Sequence, residues 1–470
     1  MPYNWDELNQ KTIDLLGENK YEEALASALQ AAEAARDAGD RQHLALGLHN
    51  TGELYHTLGD LTGAEKALLE SVEVCRDTYG SEHEETAAAL DSLAMLYAER
   101  NRWNEAEKLF REELSIQEKL LGESHPELGS VLICLSEIER NTDRLEAAGT
   151  TLRRVLKIYE DSIGPGHPAF ADAMSRLAEN YMDRGADQPA QTLMEQAITL
   201  LKDSLPADDP EIADKLEKLA GLYRRTNQMD KVEPRLKEAL DIYKKALGEE
   251  HPSVAQVQND LGEYYFSQGK NDEARPFYEA SLKTREAAFG PDHPAVAQSL
   301  NDLGVLLGSE GKFAEAEPLH ARALEIRRAR FGPRHVVVTQ SLENLAGACQ
   351  GLEKFQQAEE LLRESVSIWE ENVGKDHPST AQAYYDLGAF LFTRDKYKEA
   401  EQALQCARKI LINVFGRESY NLIAVYNALS VVYEKLGQEQ EAKAYSAQFM
   451  KLYKQQMDKQ KDQSESAPQS

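Results

Sequence analysis

The sequence repeats itself every 42 residues, and this period restricts the fold more than any other feature. His251 and His293 are 42 residues apart, and the same step taken from position 83 to position 419 meets histidine seven times in nine. The other two residues of this series are Asp209 and Ser419. A leucine stands ten residues after every one of the nine positions. An unbroken period of this length predicts a stack of structural repeats, each packing on its neighbours.

Each repeat has the pattern of two amphipathic α-helices. Leu300, Leu303 and Leu307 follow helical spacing on one face, and Pro294 suits the first position of a helix, where no N–H donor is needed. Gly, Asn or Asp occupies the turn after this helix in nearly every repeat, and these residues tolerate the left-handed conformation that ends a helix. A small residue such as Gly304 recurs where the two helices must approach closely. The sequence therefore predicts an all-α protein built from antiparallel helix hairpins.

The repeat also resembles a known family. The segment LGEYYFSQGKNDEA has a small residue and a tyrosine on one helix and Glu-Ala on the next, which is similar to the tetratricopeptide pattern. The period of 42 residues, against about 34 in the ordinary repeat, and the G-x-x-H-P linker resemble the kinesin light chain type. The resemblance implies a right-handed superhelical solenoid of about eleven hairpins that binds other proteins.

The resemblance divides the chain into three parts. We expect an N-terminal hairpin at residues 1–40, ten tandem units in one continuous array at 41–457, and a disordered tail at 458–470. The tail is expected to be disordered because it has no apolar face. Kinesin light chains carry a heptad coiled coil before their repeats, and the segment before this array is too short for one. Motor adaptor function is therefore not implied, whereas the binding architecture is.

Composition and charge argue against two classes of partner. The formal net charge is −28, and both nucleic acids and anionic membrane surfaces are bound by clustered lysine and arginine. No apolar run approaches the roughly 20 residues of a membrane span, so no membrane insertion is expected. Cys75, Cys134, Cys349 and Cys406 are far apart and form no CxxC pair, which favours reduced thiols and a cytoplasmic location.

The residues that could carry chemistry do not form a catalytic pattern. The histidine series does not suit a metal, because packed helices lie about 8–10 Å apart whereas zinc ligands lie about 2 Å from one ion. We interpret each histidine as a linker residue that helps to cap the following helix. The chain has no complete phosphate-binding, dinucleotide-binding or nucleophile-elbow motif. A non-enzymatic protein without a cofactor or metal is therefore expected.

One face of the first helices carries a series of amides in the later repeats. Amides both donate and accept hydrogen bonds, so a ladder of them suits the backbone of a bound peptide. Three aromatic residues on this face would add apolar contact. The alternative is that the amides are only solvated or bond across neighbouring repeats. The candidate peptide-binding residues are Gln256, Asn259, Gln298, Asn301, Gln340, Asn344, Gln382, Phe266, Tyr385 and Phe392.

The same face is basic in the middle repeats, although the chain as a whole is acidic. Such a cluster suits the clamping of an acidic group, because arginine binds a carboxylate with two parallel hydrogen bonds. The equal alternative is internal salt bridging to Asp172, Asp183 and Asp214. The candidate clamp residues are Arg140, Arg176, Lys218, Arg224 and Arg225.

These features together predict a protein–protein interaction scaffold. It would bind a peptide or helix segment of a partner protein in the concave groove that first helices line in this fold. The alternative is a structural or sensory scaffold that self-associates and holds a small ligand within the superhelix. Homo-oligomerisation is compatible with both interpretations.

Overall fold

The computed structural model describes residues 4–466, with side chains up to residue 459. Every regular element in this part of the chain is helical, with 22 α-helices and one short 3-10 helix. The chain divides into two compact units, which we call the N-terminal unit (residues 1–242) and the C-terminal unit (residues 243–470). The border between them lies within the twelfth helix, Met229–Leu247.

The helices of the N-terminal unit are α1 (Trp5–Gly17), α2 (Tyr21–Ala38), α3 (Arg41–Thr57), α4 (Leu61–Tyr79), α5 (Glu84–Glu99), α6 (Trp103–Leu121), α7 (Leu128–Asn141), α8 (Leu145–Ser162), α9 (Pro168–Asp183), α10 (Asp187–Ser204), α11 (Pro210–Arg225) and most of α12 (Met229–Leu247). Those of the C-terminal unit are α13 (Pro252–Ser267), α14 (Asn271–Phe289), α15 (Pro294–Ser309), α16 (Phe313–Phe331), α17 (Val337–Gly351), α18 (Phe355–Val373), α19 (Pro378–Thr393), α20 (Tyr397–Phe415), the 3-10 helix Tyr420–Leu422, α21 (Ile423–Lys435) and α22 (Glu439–Ser466).

Helices that follow one another in the chain pack against each other from α1 to α11 and again from α13 to α22. Odd-numbered helices are the first helices of the hairpins and even-numbered helices are the second. α1 and α2 form a hairpin ahead of the 42-residue repeats. First helices of successive hairpins also touch, as α3 does with α5, α15 with α17, and α19 with α21. The fold is therefore an all-α solenoid, while the continuity of the array across the two units stays a prediction.

The histidine series determines where the first helices begin. His293 Nδ1 accepts a hydrogen bond at 3.2 Å from the backbone N–H of Ala295, which is two residues later in the chain. Asp209 and Ser419, the two exceptions in the series, accept the same bond at 2.9 and 3.3 Å. All nine positions make it. The capping role is confirmed at seven of the nine positions, whereas α7 and α17 begin further on, after Glu127 and Val336. Asp and Ser can replace His because each supplies an acceptor at the same place.

The small residues of the first helices allow a bulky residue of the second helix to approach. A Cβ atom built on Gly304 would lie 2.5 Å from Cε1 of His320, and one built on Gly262 would lie 2.7 Å from the Tyr278 ring. His320 is buried, and so is Tyr278. Any side chain at these two glycines would therefore have to displace a packed ring.

The last helix corrects one expectation. Residues 458–466, expected to be disordered, are helical because α22 runs to Ser466. Neither Gly nor Pro interrupts this stretch, and its Lys and Gln residues favour helix even without an apolar face. Residues 467–470 of the expected tail lie outside the described residues.

Three further observations concern chemistry and location. None of the described helices combines the length and apolarity needed to cross a bilayer. The four cysteines are free thiols, of which Cys75 and Cys349 are buried. Among the described residues, no group of three or more His, Cys, Asp or Glu side chains is arranged to hold a metal ion.

Candidate functional site

The first helices have one face that their second helices do not cover, and we call it the first-helix face. In the C-terminal unit this face carries glutamine at the same repeat position in four successive hairpins. Gln256, Gln340 and Gln382 are exposed, and Gln298 is half-buried. The structure thus places all four candidate glutamines at the surface, spaced one hairpin apart.

Three of these glutamines are oriented by a carboxylate one helical turn later. Their side-chain N–H groups donate in the pairs Gln256–Asp260 (2.9 Å), Gln298–Asp302 (2.8 Å) and Gln382–Asp386 (2.9 Å). In the remaining hairpin, that of Gln340, Asn344 stands where the other hairpins have the aspartate. The sequence reasoning missed these aspartates, although the spacing Q-x-x-x-D at a period of 42 residues was a signal for them.

Two buried arginines on the second helices donate hydrogen bonds to two of these glutamines. Arg285 Nη2 donates to Gln256 Oε1 at 3.0 Å, and Arg327 Nη2 donates to Gln298 Oε1 at 2.9 Å. The two arginines are only 6% and 4% exposed, and burial lowers the pKa of both guanidinium groups. Gln256 and Gln298 therefore bond to the second helix of their own hairpin, and not across neighbouring repeats as in the alternative interpretation. No arginine stands at the equivalent position for Gln340 or Gln382.

Two candidate asparagines are buried, which corrects their assignment to the binding surface. Asn259 is 3% exposed and Asn301 is 1% exposed. Asn301 Nδ2 donates to Ser341 Oγ at 2.9 Å, and its Oδ1 lies 2.9 Å from His320 Nδ1. The reason is helical phase, since this position points towards the next first helix and not outward. Asn301 thus links helices α15, α16 and α17.

Two acceptor atoms beside this face receive no hydrogen bond. They are Asn259 Oδ1 and Asp302 Oδ2, both buried. Burial raises the pKa of the Asp302 carboxyl to about 6, and the charge of Glu263 adds to the rise. In the next repeat His320 meets the corresponding asparagine, whereas at Asn259 the equivalent residue is Tyr278. An unpartnered buried acceptor costs roughly 1–3 kcal/mol of stability.

A cleft opens on the first-helix face between α17 and α19. Its volume is about 370 Å³, and its lining includes Asn344 and Gly347 on one side and Asp386 and Ala389 on the other. Burial raises the pKa of the Asp386 carboxyl to about 6. The structure thus brings the candidate Asn344 together with a carboxylate that the sequence reasoning did not single out.

The aromatic candidates contribute less open surface than expected. Phe266, Tyr385 and Phe392 are all half-buried. Tyr385 and Phe392 pack against the core of the C-terminal unit, and the Phe392 ring lies 5.6 Å from the Tyr397 ring between centroids. Their edges, but not their full faces, are therefore available for contact.

The basic residues of the N-terminal unit are paired with carboxylates of the same unit. Arg140 bonds to Glu179 at 3.0 Å and to Asp183 at 2.6 Å, and Lys218 bonds to Glu179 at 2.6 Å and to Asp214 at 3.2 Å. One glutamate thus joins two of the candidate cations across successive first helices.

The rest of the cluster is also engaged. Arg176 bonds to Asp172 at 2.7 Å and to Glu137, and Asp172 also accepts from buried Lys215 at 3.2 Å. Arg225 bonds to Asp187 at 2.7 Å, and Arg224 has a partner as well. The structure thus has the internal salt bridging of the alternative interpretation, and an acidic ligand would have to displace these carboxylates.

Stacked helix hairpins built from one repeated sequence, with a polar face on the first helices, define a helical-repeat scaffold of the kind that binds other proteins. The tetratricopeptide repeat model matches residues 44–119, 127–203, 211–287, 253–329, 337–412 and 385–455. These matches cover well over half of the chain, and the chain belongs to the tetratricopeptide repeat family. Its 42-residue repeats are of the kinesin light chain type.

The chain is also similar to several solved structures, whereas a search of curated proteins finds no match. The chain is similar to BtubC (BKLC) from P. vanneervenii, with 28% identity over 50% of this chain and 92% of that one, and a TM-score of 0.43. It is similar to a Podosopora anserina protein described as a kinesin light chain with nearly identical TPR-like repeats, with 23% identity over 44% and 98% of the two chains and a TM-score of 0.40. The apo quorum sensor NprR from B. thuringiensis matches with 16% identity over 81% and 99% of the two chains and a TM-score of 0.53, a likeness of fold alone.

Proposed function

We propose that this protein is an interaction scaffold that binds an extended segment of a partner protein on the first-helix face of the C-terminal unit. The observation that carries the proposal is the repeated pair of glutamine and aspartate on α13, α15 and α19, each pair oriented by its own hydrogen bond. A side chain that is already oriented loses less entropy when a ligand binds.

The chemistry of the pairs suits a peptide backbone. An amide offers donors and an acceptor, and a carboxylate offers acceptors, so each pair can meet both N–H and C=O groups. Helices in contact lie about 8–10 Å apart, a distance that about three extended residues span. One hairpin would therefore serve roughly three residues of the ligand, and recognition would depend little on the side chains of those residues.

One further feature favours the same ligand. The cleft of about 370 Å³ between α17 and α19 offers room for one side chain of the segment. Outside the cleft, the half-buried rings of Tyr385 and Phe392 would give the bound segment apolar contact.

A photo-crosslinking experiment tests where the partner binds. A benzophenone amino acid replaces Gln340 in one variant and Gln402, which is exposed on the second helix α20, in a matched control. The proposal expects one partner to be crosslinked from position 340 and not from position 402. Crosslinking of the same partner from 402 alone would place the binding surface on the second helices and refute the proposal.

A further inference from the structure

The N-terminal unit contains a pocket between helices α3, α4 and α5. Its volume is about 320 Å³, and its walls include Leu46, His49, Ser71, Cys75, Tyr79 and Glu85. The pocket lies between two successive first helices, and the second helix α4 forms its floor through Ser71 and Cys75.

The pocket exists because one repeat position holds a small residue. Cys75 is the smallest residue at this position of the second helices. The residues at the same position in the later repeats are Gln117, Tyr159, Leu201, Tyr243, Arg285, Arg327, Trp369, Leu411 and Tyr453. A longer or bulkier side chain stands at this position in each of these repeats, and at Cys75 a pocket is open.

In two repeats the residue that enters this space is an arginine. Arg285 Nη1 donates to the backbone carbonyl of Ala295 at 3.2 Å, and Arg327 Nη1 donates to that of Val337 at 3.5 Å. Both acceptors are the second residue after the capping histidine, and the equivalent residue at the pocket is Glu85. The repeat therefore accommodates a buried guanidinium between its first helices, beside the backbone at this position.

The charge of the pocket favours a cation over a neutral ring. Glu85 is the only formally charged residue among the lining side chains named above. Burial raises the pKa of the Cys75 thiol and of the Tyr79 phenol, and the negative charge of Glu85 adds to both rises. A guanidinium would have the Glu85 carboxylate and the Ser71 hydroxyl as acceptors, while Leu46 would pack against its alkyl stem.

We propose that this pocket binds an arginine side chain of a partner protein, whose guanidinium takes the place that Arg285 and Arg327 fill in their own repeats. The planar guanidinium suits the site better than a lysine ammonium, because it is less strongly hydrated and stacks on rings such as that of Tyr79. The proposal concerns the N-terminal unit alone, so it stands or falls independently of the function proposed for the C-terminal unit.

Blocked amino acids test the chemistry of the pocket on the full chain. N-acetyl-arginine methylamide, the lysine analogue and the leucine analogue are titrated in turn, with chemical shifts of a methyl-labelled sample as the readout. The arginine compound should bind with a Kd about tenfold lower than that of the lysine compound, and Glu85→Gln should weaken the binding of both cationic compounds but not that of the leucine compound. Tighter binding of the leucine compound, or equal binding of all three, would overturn the proposal.

A substitution that fills the pocket tests the same space through the stability of the protein. Cys75→Arg should place a guanidinium where the pocket is open, so the Tm should stay at or above that of the parent and the arginine compound should no longer bind. The matched control is Cys349→Arg, at a cysteine with 0% exposure in the core of the C-terminal unit, and it should lower the Tm by many degrees. A loss of Tm in Cys75→Arg as large as in the control would show that the pocket does not accept a guanidinium.

Discussion

The buried guanidinium of Arg327 donates to the side-chain oxygen of Gln298 at 2.9 Å, while the Gln298 amide donates to Asp302 at 2.8 Å. A residue of the candidate binding face is thus also a structural support for a buried charge. Gln340 has the same repeat position on the next first helix, but Trp369 replaces the arginine there. The repeat position of a glutamine therefore does not by itself show whether the residue is free to bind a ligand or supports a buried arginine.

This difference predicts unequal effects of the same substitution. Gln298→Ala removes an acceptor from buried Arg327, so it should lower the free energy of unfolding by about 1–3 kcal/mol. Gln340→Ala removes an exposed side chain and should change it by less than about 0.5 kcal/mol. Urea denaturation followed by circular dichroism measures both, and equal losses would contradict the structural role of Gln298.

The contact between Gly304 and His320 predicts a second pair of variants. Gly304→Ala would bring Cβ within 2.5 Å of the His320 ring, which Asn301 holds in place, so it should destabilise the protein by about 1–3 kcal/mol. Gly308→Ala on the same helix meets no atom within 4 Å and should be neutral or stabilise by up to about 1 kcal/mol. Gly304→Ala should therefore lower the melting temperature while Gly308→Ala should not, and a parallel fall would contradict the close packing of α15 on α16.

Buried Glu113 predicts a pH-dependent stability. It is 3% exposed, and burial raises the pKa of its carboxyl from 4.5 to about 8, with a smaller contribution from the charge of Asp91. The folded state therefore holds this proton more tightly than the unfolded state does. Its contribution to stability is complete below pH 4.5 and is lost as the pH rises towards about 8.

Glu113→Gln should remove this dependence. We expect parent and variant to have similar free energies of unfolding near pH 4, whereas at about pH 8 the variant should be more stable by a few kcal/mol. Glu123→Gln, at an exposed position, is the control and should follow the parent at every pH. A constant difference between parent and Glu113→Gln from pH 4 to pH 8 would contradict the raised pKa.

Much of the fold could be predicted because each local signal in the repeat has a local cause. The capping series marks the starts of the first helices, and Asp209 and Ser419 cap in the same way as the histidines. The turns are left-handed as expected, and even Glu353, which departs from Gly, Asn and Asp, has a φ of 59°. The backbone hydrogen bond from Lys354 N–H to the Cys349 carbonyl, at 2.8 Å, closes this turn as in the other repeats.

The candidate site was less predictable because its details depend on contacts between repeats. Asn259 and Asn301 have the right residue type and spacing, but they point towards the next first helix. The burial of Arg285 and Arg327 could not be deduced from helical phase, since it follows from the space between two first helices. The ion pairs around Glu179 link residues of different repeats, whose rotation relative to each other is not encoded in any single unit.

The central claim is that a partner segment binds along the first-helix face of the C-terminal unit, and the affinity of matched variants tests it most directly. Once crosslinking from position 340 has identified the partner, its Kd is measured by calorimetry for the parent, for a Gln340→Ala, Asn344→Ala and Gln382→Ala variant, and for a Gln356→Ala and Gln402→Ala control on the second helices. The account predicts at least a tenfold rise in Kd, or about 1.4 kcal/mol, for the first variant and no change for the control. An unchanged Kd in the first variant, with a loss of binding in the control, would contradict it.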